Sequence, residues 1–127
     1  MFDIVTIGSA TRDNFLRANY KIIKWPQTPS CEAIALPLGE KLSVKEVFFT
    51  IGGNAVNACV TFARQGFKTG CFGKVGNDLS GQELVGRLTK EKVKPLFAVS
   101  KEKPTAFSAL LLRDSERTIL SYHGASD

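Results

Sequence analysis

Apolar, β-branched residues dominate the start of the chain, where Asp3 to Gly8 (DIVTIG) forms a short run ending on glycine. Such a run predicts a strand in a sheet covered on both faces. A loop is expected directly after it, at Ser9-Ala10-Thr11-Arg12-Asp13. Tyr20 to Ile23, Ala33 to Leu38 and Val47 to Ile51 read as three more extended pieces, separated by Pro26, Pro29, Pro37 and Gly39, residues that mark turns and exclude helix. Ser43-Val44-Lys45-Glu46 spells a helix-capping box, but the Val47-Phe48-Phe49-Thr50-Ile51 that follows is β-prone throughout, so strand is predicted there.

The period changes from Gly53 to Gln65, where Ala55, Val56, Cys59, Val60 and Ala63 recur at helical spacing and Gly66 supplies a stop. Lys68 to Val75 predicts a strand. After it, Ser80 to Glu83 spells a second capping box, and Asp78 with Ser80 is read as capping a helix that carries Leu84, Val85 and Leu88. Lys94 to Val99 is a further strand. Thr105 to Leu112 and Thr118 to Tyr122 predict a hairpin closed by about five residues, Arg113 to Arg117. This order predicts a layered α/β fold with a β flap assembled from two separated pieces of chain. A parallel sheet of only three strands does not cover itself on both faces, so the architecture reads as the beginning of a larger one.

Composition narrows the class. The 127 residues are 43% hydrophobic and 23% charged, which fits one globular domain or part of one and excludes disordered and fibrous designs. Seventeen Lys and Arg against twelve Asp and Glu give a net charge of +5. The densest basic stretch, Lys90, Lys92, Lys94, Lys101 and Lys103, is broken by Glu91 and Glu102. Without a basic stripe, stacking platforms or a reading motif, no nucleic-acid partner is expected. No apolar run approaches the roughly 20 residues that span a bilayer. Met1-Phe2-Asp3-Ile4 lacks the basic start of a signal peptide, so no membrane association and a cytoplasmic location are expected. Cys31, Cys59 and Cys71 show no C-x-x-C spacing and are expected to be reduced, buried and small; no metal site is expected.

Candidate chemistry concentrates at Gly52-Gly53-Asn54-Ala55-Val56-Asn57, a glycine pair at a strand-to-helix junction with Asn57 on the first helical turn. Paired glycines let a ligand approach the backbone, and free amides at a helix N-terminus bind oxygen-rich groups. Asn57 can both donate and accept, which suits vicinal hydroxyls. A tight turn with a self-satisfied asparagine accounts for the same residues. Gly8-Ser9 and Asp13 lie just after the first strand, where an open α/β sheet places its ligands. Asp13 would add a carboxylate to a polyol clamp, or cap its own loop. Gly73-Lys74-Val75-Gly76-Asn77-Asp78 matches neither the P-loop nor the dinucleotide glycine spacing.

Gly8-Ser9 with Asp13, the block GGNAVNACVTFARQGFKTGCFGKVGNDLSGQEL from Gly52 to Leu84, and Thr105 to Ala125 with its turn DSERT together resemble the N-terminal part of the PfkB, or ribokinase, family of carbohydrate kinases. The resemblance implies the N-terminal part of a single three-layer α/β/α kinase domain over residues 1–127, with a β-sheet lid from segments at about 14–50 and 105–122. It implies that Asp13 holds acceptor hydroxyls, that the Gly52-Gly53 turn approaches the substrate, that Asn57 hydrogen-bonds it, and that Phe107 supplies apolar cover. It also implies homodimers that pair through their lids. ATP and Mg²⁺ are implied for the full-length enzyme, with their contacts mainly in the other half. The family's second motif, a G-A-G-D-like turn carrying the catalytic aspartate, has no counterpart here; that base is expected beyond Asp127, so no catalytic residue is assigned. Gly124-Ala125-Ser126-Asp127 shares its spelling but follows the lid hairpin, at a different position of the family pattern. The function implied is acceptor binding within an ATP-dependent sugar or nucleoside kinase, the 127 residues alone being inactive. The alternative is a short sugar- or nucleoside-binding or β-flap pairing module without catalysis. A dinucleotide-binding domain is disfavoured by the missing fingerprints.

Overall fold

In the computed structural model, residues 1–126 are described. The elements run β1 (Ile4–Ile7), β2 (Thr11–Arg17), β3 (Lys21–Lys24), β4 (Glu32–Ala35), β5 (Glu46–Gly52), α1 (Asn54–Arg64), β6 (Thr69–Gly76), α2 (Leu79–Lys90), β7 (Lys94–Ser100), β8 (Ala106–Arg113) and β9 (Glu116–Tyr122), with a 3-10 turn at Gly124–Ser126.

β1, β6 and β7 form the expected three-stranded parallel sheet, in the order β1-β6-β7. α1 and α2 close the core against it. Val56, Cys59, Cys71, Val75, Leu84, Leu88 and Val93 are buried there, with Ile51, Val60, Ala63 and Phe97 packed around them. The apolar periods that predicted the two helices are the faces that meet the sheet. Val5, Ile7 and Phe72 remain exposed. Cys59 and Cys71 are buried as expected, whereas Cys31 is exposed. It sits in the turn between β3 and β4 with φ of 55°, outside any core. Burial and a hydrogen bond belong to Cys71: the bond with Cys59 and then desolvation push its thiol well above the ordinary range.

The second sheet has four strands in the order β5-β2-β8-β9. β2 runs parallel to β8, while β2 with β5 and β8 with β9 are antiparallel. A flap built from two separated chain pieces is therefore present, with three corrections. The expected loop at 9–13 is overturned, because β2 begins at Thr11 and carries Asp13 inside a strand. Flanking strands on both sides satisfy its backbone, which overrides the poor strand propensity of Asp13 and Asn14. Second, β3 and β4 form a separate two-stranded hairpin; Ile34 of β4 and Tyr20 just ahead of β3 pack with Ala18, Leu16 and Leu111. Third, Arg113 pairs with Glu116, so the β8–β9 turn has two residues instead of about five. Asp114 makes it possible by taking φ of 51°, a conformation aspartate tolerates.

Candidate acceptor site at the root of the lid

The four lid strands stand in register, so their side chains form rows across the sheet. Because strand partners share a face, Thr50, Asp13, Ser108 and Ser121 make one polar row through all four strands. Phe48, Phe15, Leu110 and Ile119 make the next row on that face. Phe15 and Phe48 stack there with ring centroids 4.5 Å apart. A surface that sets a carboxylate and hydroxyls beside flat apolar groups suits a sugar, which offers hydroxyls at its edges and C–H groups on its faces.

Below the polar row, Thr11 pairs with Gly52 and with Ala106. A Cβ on Gly52 would overlap Asp13 Oδ2 and Cγ. One on Gly53 would overlap the Ser9 carbonyl, and Gly53 also takes φ of 96°. Both glycines are thus required by the protein itself: the space at Gly52 is filled by the Asp13 carboxylate, and Gly53 lets the chain pass Ser9 and turn into α1. Ser9 Oγ accepts from Asn54 N at 3.1 Å, while no side chain of the N-cap residue caps α1. Asp13, Gly52 and Gly53 are therefore brought together.

Asn57 lies one turn into α1, exposed, with its amide bonded to Gly53 O at 2.9 Å. Its side chain lines a groove of about 680 Å³ that starts at Thr50 and Ile51 and continues between the helices toward Arg64, Arg87 and Lys90. Thr50 links this groove to Asp13, its partner across the β2–β5 ladder. Phe107 is placed elsewhere. Its row is Ile51, Arg12, Phe107 and Tyr122, on the opposite face from Asp13, whose own face carries the Phe15 row. One residue of register decides this, because neighbours along a strand point to opposite faces.

Several contacts around this junction have no signal in the sequence. Thr11 Oγ1 donates to Asp13 Oδ1 at 2.9 Å. On the opposite face, Arg12 lies 3.3 Å from Glu83 of α2 and sits over the Phe49 ring at 5.0 Å, fastening the lid root to a core helix. At the other root, Asp78 Oδ1 accepts from Thr105 Oγ1 at 2.6 Å and from Gly81 N at 2.8 Å, and Oδ2 accepts from Thr105 N at 2.8 Å. Asp78 is thus the N-cap of α2, as expected of it, whereas Ser80 lies within the helix, so the Ser80 capping box is corrected. Burial alone would raise the Asp78 carboxyl, but these donors outweigh it and hold the group below the ordinary carboxylate range. Nothing local signals the Thr105 bonds, since the partners are 27 residues apart.

The glycine-rich run at the end of β6 is used internally. Gly76 N donates to Thr105 Oγ1 and Asn77 N to Ser100 O, so these amides do not form a phosphate cradle, and the run does not fit ATP. No cluster of three or more metal-ligating side chains occurs among the described residues, and no described helix is long and apolar enough to cross a membrane. Asp127, the last residue of the Gly-Ala-Ser-Asp spelling, lies outside the described residues.

A helix-backed parallel sheet with a second sheet rising from its strand ends defines a ribokinase-like α/β fold. The chain belongs to the pfkB family of carbohydrate kinases, whose model matches residues 1–127. Among solved structures it is similar to the ribokinase of Arabidopsis thaliana complexed with ribose and ATP, at 23% identity and a TM-score of 0.77, covering 95% of this chain and 36% of that one. It is also similar to the fructokinase of Halothermothrix orenii, at 19% identity and a TM-score of 0.72, covering 98% of this chain and 38% of that one. Among curated proteins, the mouse ribokinase is 28% identical over 83 residues, which are 65% of this chain and 26% of the mouse protein. The chain therefore spans well under half the length of these relatives.

Proposed function

We propose that residues 1–127 are the acceptor-binding, lid-bearing N-terminal portion of one kinase domain that transfers the γ-phosphoryl group of ATP to a hydroxyl of a sugar or nucleoside. The observation that carries this reading is the convergence of Asp13 with the Gly52-Gly53 turn at the lid root, immediately ahead of α1. In this reading the Asp13 carboxylate accepts from acceptor hydroxyls, Asn57 donates and accepts at the mouth of the groove, and the Phe15 row covers the ring. Phosphoryl transfer depends mainly on positioning and charge neutralisation. This chain supplies the positioning of the acceptor. The catalytic base and the contacts to ATP and Mg²⁺ are assigned to residues beyond it, so the 127 residues alone are inactive. The reading carries with it a cytoplasmic location and no nucleic-acid partner.

The lid also favours pairing of two copies. Phe107, Leu120 and Tyr122 are roughly half exposed on the face opposite Asp13, and a second lid would cover them. The same observation favours the alternative of a non-catalytic pairing module, and one assay separates the two. The intact natural protein is incubated with ATP and ribose, fructose or adenosine, alongside Asp13→Ala and Asn57→Ala. Loss of a hydrogen bond to a charged or buried group costs about 1 to 3 kcal/mol, so each variant is expected to raise the acceptor KM roughly 5- to 150-fold with the ATP KM unchanged. Unchanged acceptor kinetics in both variants would remove the site assignment; dimers without turnover of any acceptor would favour the pairing module.

A further inference from the structure

A carboxylate on a strand turns about two side-chain bonds, and a ligand that needs it in one orientation must bear the cost of stopping that motion. At Asp13 the protein has already done so. Thr11 and Asp13 sit two residues apart on β2 and share a face, and the Thr11 hydroxyl donates to Oδ1 at 2.9 Å. The other oxygen lies over the bare Cα of Gly52, in space that any side chain there would occupy. Gly52 is in turn the ladder partner of Thr11. Hydroxyl, carboxylate and glycine thus form one constellation, fixed by the register of β2 on β5. The backbone of Thr11 is paired on both sides, with Gly52 and with Ala106, so the strand does not need the side-chain bond.

We infer that Thr11 is a positioning residue for acceptor recognition, holding Asp13 in the orientation that meets the ligand. The inference rests on the reading of Asp13 as an acceptor ligand. Its chemistry also narrows what can bind. Thr11 has given its one hydrogen to Asp13, and a carboxylate carries none, so the pair presents only acceptor atoms to a ligand. Matching groups must be donors: adjacent hydroxyls fit, whereas a phosphate or carboxylate substituent at this point is repelled.

The test uses the intact natural protein with ATP and D-ribose as the probe acceptor, with D-fructose and adenosine as alternates, and three variants. Thr11→Val keeps the shape and removes the hydroxyl, Thr11→Ser keeps the hydroxyl, and Asp13→Asn reports on the underlying reading. With one orienting bond lost, Thr11→Val is expected to raise the acceptor KM about tenfold while the ATP KM and melting temperature stay unchanged, and Thr11→Ser to return it to within about twofold. In the double variant with Asp13→Ala, which removes the acceptor of the Thr11 bond, Thr11→Val is expected to add nothing, as for residues acting through one another. An acceptor KM untouched by Thr11→Val, a serine variant as poor as the valine one, or a fall in melting temperature that accounts for the loss overturns the inference. If Asp13→Asn leaves the acceptor KM unchanged, or none of the three acceptors is phosphorylated, the reading of the site itself falls and this inference with it.

Discussion

The helix-backed sheet and the lid sheet are stabilised in opposite ways. In the first, Cys59, Cys71, Leu84 and Leu88 have no exposed surface, and the apolar faces of α1 and α2 account for its cohesion. In the second, every residue of β9 is exposed, and Val47, Phe48, Phe49, Phe107, Leu120 and Tyr122 are each about half exposed. What holds the lid is its ladder, a small apolar cluster of Leu16, Ala18, Tyr20 and Leu111, the buried Asn14 donating to Ser108 O at 3.1 Å, and polar ties at its two roots. Large apolar groups left open on both faces of a sheet mark a surface that covers something else.

The sharpest way to break this contrast is to shorten one leucine in each sheet. Leu84→Ala opens a cavity in the core and is expected to cost about 3 kcal/mol. Leu120→Ala, on a side chain that is 55% exposed, is expected to cost less than about 0.5 kcal/mol. Chemical denaturation of the protein measures both. Equal losses would mean that the lid is a packed core element, and the contrast would collapse.

The next effect is at the join. Asp78 caps α2 and holds Thr105 where the chain enters β8, so Asp78→Ala is expected to cost about 2 kcal/mol through the lost cap and the unpaired Thr105 groups. The effect carries a pH signature. Because the folded carboxyl titrates below its unfolded value, its contribution is complete above about pH 4 and is lost as pH falls through the folded value. Asp78→Asn, which cannot ionise, should flatten that part of the stability profile between the two values. A parent-like acid limb in Asp78→Asn would show that Asp78 does not provide the tie.

These elements were unequally legible. The helices announced themselves through Val56, Cys59, Val60 and Ala63, and through Leu84 and Leu88, because an apolar face at a period of 3.6 residues has one physical meaning. The glycine pair at 52–53 was legible as a special junction, although the structure fills the space at Gly52 with Asp13. β2 was not legible, since Thr11, Arg12, Asp13 and Asn14 look like a loop until β5 and β8 are seen to pair with them on either side. The face of Phe107 depended on a register that no local pattern encodes. The Asp78–Thr105 tie joins residues whose proximity exists only once β7 has folded beside β6.

The smallest expected effect lies in the groove between the helices. Arg64 Nε donates to Glu91 Oε2 at 2.8 Å and its Nη2 to Oε1 at 2.6 Å, joining the C-terminal ends of α1 and α2 in a two-pronged pair. These bonds raise the arginine's titration and lower the glutamate's, yet the Arg64 side chain is 67% exposed. Exposed pairs exchange one set of hydration partners for another and are screened by salt. Arg64→Ala is therefore expected to leave the melting temperature within about 1 °C of the parent at moderate salt. A larger loss would mean that the helices are held together at the groove as firmly as they are at their buried faces. The contrast between a core joined by apolar burial and a lid joined by polar ties would then have to be redrawn, with a polar tie inside the core as well.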